Sequence, residues 1–400
     1  MTCIDPPGES DWASIASVCI KCMGKPIIDS ARGVARDAEY EDEDNPIFES
    51  CSFCNNEVDP GGDNVAIAFD RYMELILNSL HWIYALGSEV GNPPTGGGDG
   101  LEWFSTTEVA EEHCWGAVAQ GNVDLFRAIE GSLPTDYWTY KNFGWDKVEL
   151  PFSWKRFNDL ALNPSPLSYD PDSLILSPVR LMAKILNYIA FDYDSLLRVI
   201  KPGTRIWRAR THSDEVPYFA ATGAELGSAP AEHAKANRMS REGESMFYGA
   251  DELATALVEI GYSEDRYATA GQFTPTRDLL VLDLTSIDYA PSIFSLAERR
   301  DFYPIDFLHR FSYDLSKPIG VNPEIGYLPT QLVTKSVREY EVEKIDGIRF
   351  NSSKPGCTAN YILFFTNNDC RDSGNCVLRL DVASVRSGLV LTEPDRSVVH

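Results

Sequence analysis

Residues 246–260 read MFYGADELATALVEI, a short strand (246–248) followed at once by a short helix (251–260). Asp251 is placed to cap that helix, because an aspartate oxygen can accept from a free N–H of the first turn. Glu259 breaks an apolar run: Ala256, Leu257 and Val258 precede it and Ile260 follows. A carboxylate at a buried helix end is costly unless it has a partner or a task; on the polar side of an amphipathic helix it is simply solvated. Upstream, 205–210 (RIWRAR) reads as a strand mixing apolar and basic residues, and 215–245 as loop. Downstream, 279–284 (LLVLDL) is a buried strand, 294–311 and 329–340 are largely helical, and 345–351, 360–365 and 377–381 are strands. Strands joined by unequal connections predict a mixed sheet with helices beside it, an α+β fold rather than a doubly wound one. No GxGxxG and no GxxxxGK[ST] occurs, so neither a Rossmann fingerprint nor a P-loop is present.

The first half reads differently. Helical periodicity runs over 65–86, where Ile67, Phe69, Tyr72, Met73, Leu75, Ile76, Leu80 and Ile83 recur, and again over 106–119, 123–133, 152–162 and 173–199. Strand signals are few, and 91–100 is a Gly/Pro-rich loop. His81 and His113 stand alone on helices and are read as structural. Pro202-Gly203 ends the last helix and marks a boundary. The predicted division is 1–60, a zinc-ribbon-like module; 61–200, a helical domain; 201–385, the α+β domain; and 386–400, a tail.

The module rests on Cys19-x2-Cys22 and Cys51-x2-Cys54. Each pair lets one tight turn offer two thiolates, and two such turns close a tetrahedron around one structural zinc ion. The 28 residues between the pairs include the acidic run 41–44, read as a solvated loop. Cys3, Cys114, Cys357, Cys370 and Cys376 have no metal spacing.

The 400-residue chain carries 35 basic and 60 acidic side chains, a formal charge of −25. That balance excludes a general nucleic-acid binder and electrostatic docking on an anionic membrane. The start, MTCIDPPGES, has neither the basic region nor the apolar core of a secretory signal, and no apolar run approaches the ~20 residues of a membrane span, so a cytoplasmic protein is expected. Residues 1–200 hold 13 basic and 32 acidic groups, a net −19. Residues 201–241 instead hold seven basic and four acidic, a local +3 where a small anion could bind.

Six pieces of the second half, IWRAR (206–210), ANRMS (236–240), MFYGADELATALVEI (246–260), LLVLDL (279–284), YLPTQLVTKSVRE (327–339) and DGIRFNSSKPGCTANYILFF (346–365), together resemble the RES domain. The resemblance covers about 200–385. It implies a fold similar to diphtheria-toxin-type ADP-ribosyltransferases, and a family that degrades NAD+ or transfers ADP-ribose from it. The first half, with its two Cys pairs and FSWKRFNDL (152–160), looks like the HEPN/RES N-terminal domain that precedes some RES domains. Many HEPN ribonucleases use an Arg and a His four to six residues apart. Arg71 and His81 are too far separated, and Arg36 and Arg127 have no His in reach, so that activity is not carried over. Arg205-x6-His212 fits the spacing but lies in the RES-like half.

The resemblance implies site residues. Arg208 matches the first family arginine and would hold the anionic NAD+, since a guanidinium pairs two phosphate oxygens at once. Arg210, two residues on, shares its strand face. Arg238 matches the second arginine. Tyr248 would stack on nicotinamide or line the ribose pocket. Glu259 would stabilise the oxocarbenium-like state of nicotinamide–ribose cleavage, the electronic problem glycosidases solve with carboxylates. Either Ser352 or Ser353 is the family serine; Ser352 is favoured, as a positioning hydroxyl. Asn351, Asn360 and Gln331 are candidate polar lining. The implied activity is NAD+ glycohydrolysis with water or phosphate as acceptor, in toxin–antitoxin or phage-defence biology. Alternatives are ADP-ribosylation of a protein, and an inactive RES half on a zinc-helical sensing or binding protein. Implied partners are NAD+ and an antitoxin or trigger protein, and a homo-oligomer stays open.

Overall fold

The computed structural model describes residues 16–37, 48–59, 62–90, 103–141, 154–162, 178–212, 221–261, 267–287, 291–299, 301–316, 327–354, 356–372 and 374–390. The acidic run 41–44, Cys3, the 91–100 loop and residues 391–400 of the expected tail lie outside them. The chain forms two compact units, Met1–Pro151 with Ala290–Tyr303, and Phe152–Tyr289 with Pro304–His400.

The first unit is mainly helical, with short strands at its helix ends. β1 (Ser17–Cys19) pairs antiparallel with β2 (Ala66–Ala68). The helix Phe69–Ile83 buries Tyr72, Met73, Ile76 and Leu80, as its periodicity requires. The expected 65–86 helix is shorter because both its ends are recruited into sheets: Ala66–Ala68 into β2, and Tyr84–Leu86 into β3. β3 and β4 (Trp103–Ser105) flank β5 (Tyr137–Tyr140). The helix Thr106–His113 starts on a capping box, with Ser105 and Glu108 each bonding the other's backbone N–H. It gives way to a 3-10 turn at Cys114–Ala117, short of the expected 119.

The second unit is built on one eight-stranded sheet, in the order β13-β9-β7-β8-β12-β11-β10-β6. These are β6 (Leu197–Ile200), β7 (Ile206–His212), β8 (Phe247–Ala250), β9 (Tyr267–Pro275), β10 (Leu279–Asp283), β11 (Gly347–Asn351), β12 (Ala359–Leu363) and β13 (Leu378–Val390). β10 and β11 pair parallel, while the other ladders are antiparallel, so the sheet is mixed as expected. One face buries Leu282, Ile348 and Ile362 under the helices Pro178–Asp192, Phe302–Ser316 and Leu328–Arg338. The other face buries Ile206, Phe247, Phe273 and Leu363 against Leu226 and Cys370.

The expected boundary near 200 falls inside this unit. Trp154 and Phe157, on the helix Trp154–Leu162, pack on Phe307 with ring centroids 5.3 Å apart. The expected 173–199 helix ends at Asp192, and Leu197–Ile200 becomes the sheet edge against β10. At the other end, β13 runs through 386, the expected start of the tail.

Candidate functional site

The sheet opens beside β7. This strand pairs with β9 over seven residues but meets β8 at a single pair, Trp207 with Ala250. The two strands diverge from there, leaving the Tyr248 carbonyl out of that ladder. Gly249 sits in the cleft, where a Cβ would come 2.5 Å from Ile206 and 3.1 Å from the Trp207 carbonyl. A cavity of about 790 Å³ occupies this region, inside the ~300–1,000 Å³ range of small-molecule sites.

Arg208, Arg210, Arg238, Tyr248, Glu259 and Ser353 all line this cavity, as does Asn360. The Arg208 guanidinium donates to the Leu226 carbonyl (2.8 Å) and the Tyr248 carbonyl (2.5 Å), and lies over the Phe247 ring. Arg210 donates to the Gly227 carbonyl (2.7 Å). Among the described residues neither cation has a carboxylate partner. Burial, then the Arg210 charge, pushes Arg208 down to about 9, so it stays charged at neutral pH. Burial also lowers Arg210. Cations that meet only carbonyl dipoles suit an anionic ligand, because a desolvated charge such as that of buried Arg208 is costly until it is countered.

Arg238 reaches the cavity from a braced loop. Its guanidinium donates to the Asp314 and Leu315 carbonyls at the end of the Phe302–Ser316 helix. Thr330 Oγ1 bonds the Arg238 carbonyl, and Gln331 Nε2 donates to the Asn237 and Ser240 carbonyls. Gln331 therefore braces the loop from behind and is not among the cavity-lining residues. Tyr248 is half-buried, and desolvation of its hydroxyl raises the pKa; that hydroxyl donates to Asn237 Oδ1 and bonds Ser240 Oγ, both at 2.9 Å.

Glu259 ends the helix Leu253–Glu259 and is exposed, so the cost of a buried carboxylate does not arise. It is nonetheless held: Oε1 accepts from Ser352 Oγ (2.6 Å) and Asn360 Nδ2 (2.8 Å). The two serines thus divide. Ser352 contacts Glu259, while Ser353 lines the cavity. Asn351, at the exposed end of β11, is not among the lining residues.

Asp251 is not the helix cap, since Glu252 holds that position without a side-chain bond. Its carboxylate instead accepts from Arg349 (2.8 Å) and the Tyr361 hydroxyl (2.5 Å). Arg349 also pairs with buried Asp283 (3.0 Å), which Arg198 meets from the edge strand (3.2 Å). This network ties the start of the Glu259 helix to the strand leading to Ser352. The stretch DGIRFN carries Arg349, but its acidic partners lie 66 and 98 residues away, so sequence alone did not join them.

Residues 205–378 match the family model of the RES domain. The RES match spans every cavity residue named above, from the strand of Arg208 and Arg210 to Asn360. It leaves out β6 and the helices Trp154–Leu162 and Pro178–Asp192, which complete the same unit. No curated protein matches the chain.

In the first unit, Cys19, Cys22, Cys51 and Cys54 bring their Sγ atoms within 4.8 Å of one another. Three of the separations are 3.9 Å (Cys19–Cys22), 3.6 Å (Cys19–Cys54) and 3.7 Å (Cys22–Cys51). Sulfurs about 2.3 Å from a tetrahedral zinc stand about 3.8 Å apart, so the cluster has the size of a metal cage. Burial, then Cys51, pushes the Cys19 thiol up to about 11, and burial also raises Cys22. Four thiols packed this closely could hold a metal ion, which would let them ionise together. Among the described residues, no helix is long and apolar enough to cross a membrane.

Proposed function

We propose that this protein consumes NAD+ by cleaving its nicotinamide–ribose bond. One observation carries the reading: a single cavity joins the buried Arg208 and half-buried Arg210 guanidiniums, neither with a carboxylate partner among the described residues, to the Glu259 carboxylate, whose Oε2 likewise has no partner among them. NAD+ offers the matching poles, a pyrophosphate and a ribose carbon that becomes cationic as the bond breaks. Arg208 and Arg210 take the pyrophosphate, with Arg238 on the opposite loop. Tyr248 forms part of the wall beside the ribose. The C1′–N bond breaks heterolytically, its electron pair passing to the pyridinium ring so that neutral nicotinamide leaves. Glu259 faces the oxocarbenium charge that develops, while Ser352 holds Glu259. Water then adds at C1′ and gives up a proton to solvent, or a phosphate oxygen adds there in its place. Nicotinamide leaves without a proton, so no general acid is required.

The cysteine cluster is read as a structural zinc site, since a closed set of four thiolates leaves no open coordination position for chemistry. The remainder of the first unit is read as a sensing or restraining region for an enzyme whose activity depletes NAD+, in toxin or defence biology. Incubation of the full chain with NAD+, with and without phosphate, followed by mass detection of nicotinamide, ADP-ribose and ADP-ribose phosphate, tests the reading. Nicotinamide release is the expected result. Release that requires an added protein, with ADP-ribose found on that protein, would move the assignment to a transferase. No release under any condition would refute it.

A further inference from the structure

The two oxygens of Glu259 are unequal. Oε1 takes both available hydrogen bonds, and Oε2 has no partner among the described residues. The carboxylate also sits on the last residue of its helix, where the free carbonyl ends disfavour negative charge. Left to itself, an exposed glutamate there would swing among rotamers. Asn360 supplies a fixed point. It lies in β12, paired with Phe350 on one side and Ala250 on the other, and is 8% exposed. A carboxylate accepts only donors, so the amide nitrogen must face Glu259. An amide donor also has a property that Lys or Arg lacks: it holds the carboxylate without cancelling its charge.

We propose that Asn360 is a positioning residue for Glu259, pinning Oε1 to the sheet so that Oε2 remains open and charged toward a ligand in the cavity. The inference rests on the reading that Glu259 acts on NAD+. It extends that reading from the residue to the device that aims it. Ser352 gives the second bond from a turn, and Asn360 gives the one anchored in the sheet.

The experiment uses the full chain with Asn360→Asp and Asn360→Leu, each checked for folding by circular dichroism. Nicotinamide release is followed over a pH series. Asn360→Leu removes the donor and should lower kcat about tenfold, with KM within about twofold of wild type, as expected for an interaction that matters mainly in the transition state. Asn360→Asp sets a second carboxyl against Oε1. Two carboxyls sharing one proton should move the acid limb of the kcat profile upward by about one pH unit. In the Leu variant, a purely structural role for Asn360 would not confine the loss to kcat. An unchanged kcat in the Leu variant, or a wild-type acid limb in the Asp variant, would overturn the proposal. A second readout is independent of turnover: carboxyl-13C NMR of the Glu259 side chain, assigned by its loss in Glu259→Gln. Its titration should move upward in Asn360→Asp, and an unmoved titration overturns the proposal. If wild type releases no nicotinamide while this signal still moves, the NAD+ reading fails and the positioning contact stands.

Discussion

Glu259→Gln separates charge from structure at the centre of the proposed chemistry. Oε1 accepts both Ser352 Oγ and Asn360 Nδ2, and a glutamine oxygen can take that place with the same two bonds. The amide nitrogen then falls where Oε2 was, an atom with no partner among the described residues. The side chain is exposed, so folding stability should change by less than about 0.5 kcal/mol. What disappears is one unit of negative charge facing the developing cation. At about 4 Å that interaction is worth about 1 kcal/mol in bulk water and about 4 kcal/mol at an effective dielectric near 20. The corresponding rate losses run from about fivefold to about a thousandfold. Glu259 stands exposed in the ligand-free protein, but a bound dinucleotide would displace much of the water around it. The expected loss is therefore about a hundredfold, the scale of one transition-state contact. The assay is nicotinamide release under saturating NAD+, with urea denaturation run in parallel. A folded Glu259→Gln protein within about threefold of wild-type kcat would refute the electrostatic role.

Arg208→Lys keeps the charge but loses the fork that spans the Leu226 and Tyr248 carbonyls; one acceptor is stranded, at a cost of about 1–3 kcal/mol in urea denaturation, and ADP-ribose binding by calorimetry should weaken in step. Wild-type stability together with wild-type affinity would count against this. Elemental analysis should find one zinc per chain. Its removal by a strong chelator should unfold the first unit, because structural zinc contributes about 10–16 kcal/mol; retention of the first unit's structure without metal would contradict a structural role. Burial works to raise the Asp283 carboxyl, but Thr285 and Arg349 outweigh it and hold the group below the ordinary carboxylate range. A value depressed in the folded state adds stability above the unfolded pKa of about 3.9, and that stability is lost as pH falls through the folded value. Asp283→Asn should therefore lose about 3 kcal/mol at pH 7 and show a flatter acid limb below about pH 4; an acid transition parallel to wild type would exclude the linkage.

Much of the candidate site was legible through the RES resemblance, whose pieces are local stretches of sequence. Arg208 and Arg210 alternate on one short strand, and Glu259 follows Tyr248 across one strand–helix unit. What escaped were features made by distant pairing. β9 lies next to β7 in the sheet, yet its sequence, YATAGQFTP, has few of the branched residues that mark strands. Its small residues answer a packing demand: a Cβ on Gly271 would come 2.9 Å from both Leu226 and Leu380. β3 was hidden for the opposite reason. Tyr84, Ala85 and Leu86 continue a helical period, and only pairing with Tyr140, Thr139 and Trp138 turns them into strand. Asp251 had the chemistry of a cap, but a charged partner on β11 outbid the helix N–H groups. Local propensity yields wherever a tertiary partner satisfies the same atoms better.

The poles of the site follow from one feature of the sheet. If β7 and β8 continued to pair beyond Trp207 and Ala250, the Tyr248 carbonyl would belong to a ladder and Arg208 would have no acceptor there. Because the strands diverge, that carbonyl is free to hold a buried guanidinium that lacks a carboxylate partner among the described residues, which would otherwise neutralise it. The next strand, β12, pairs β8 over four residues and β11 over five, and from it Asn360 holds Glu259. An open ladder thus keeps the cations available, and the closed ladder beside it fixes the anion. The same geometry lets a chain of net charge −25 keep a local pair of cations that meet carbonyl oxygens and no carboxylate among the described residues, which is what the proposed pyrophosphate contact requires.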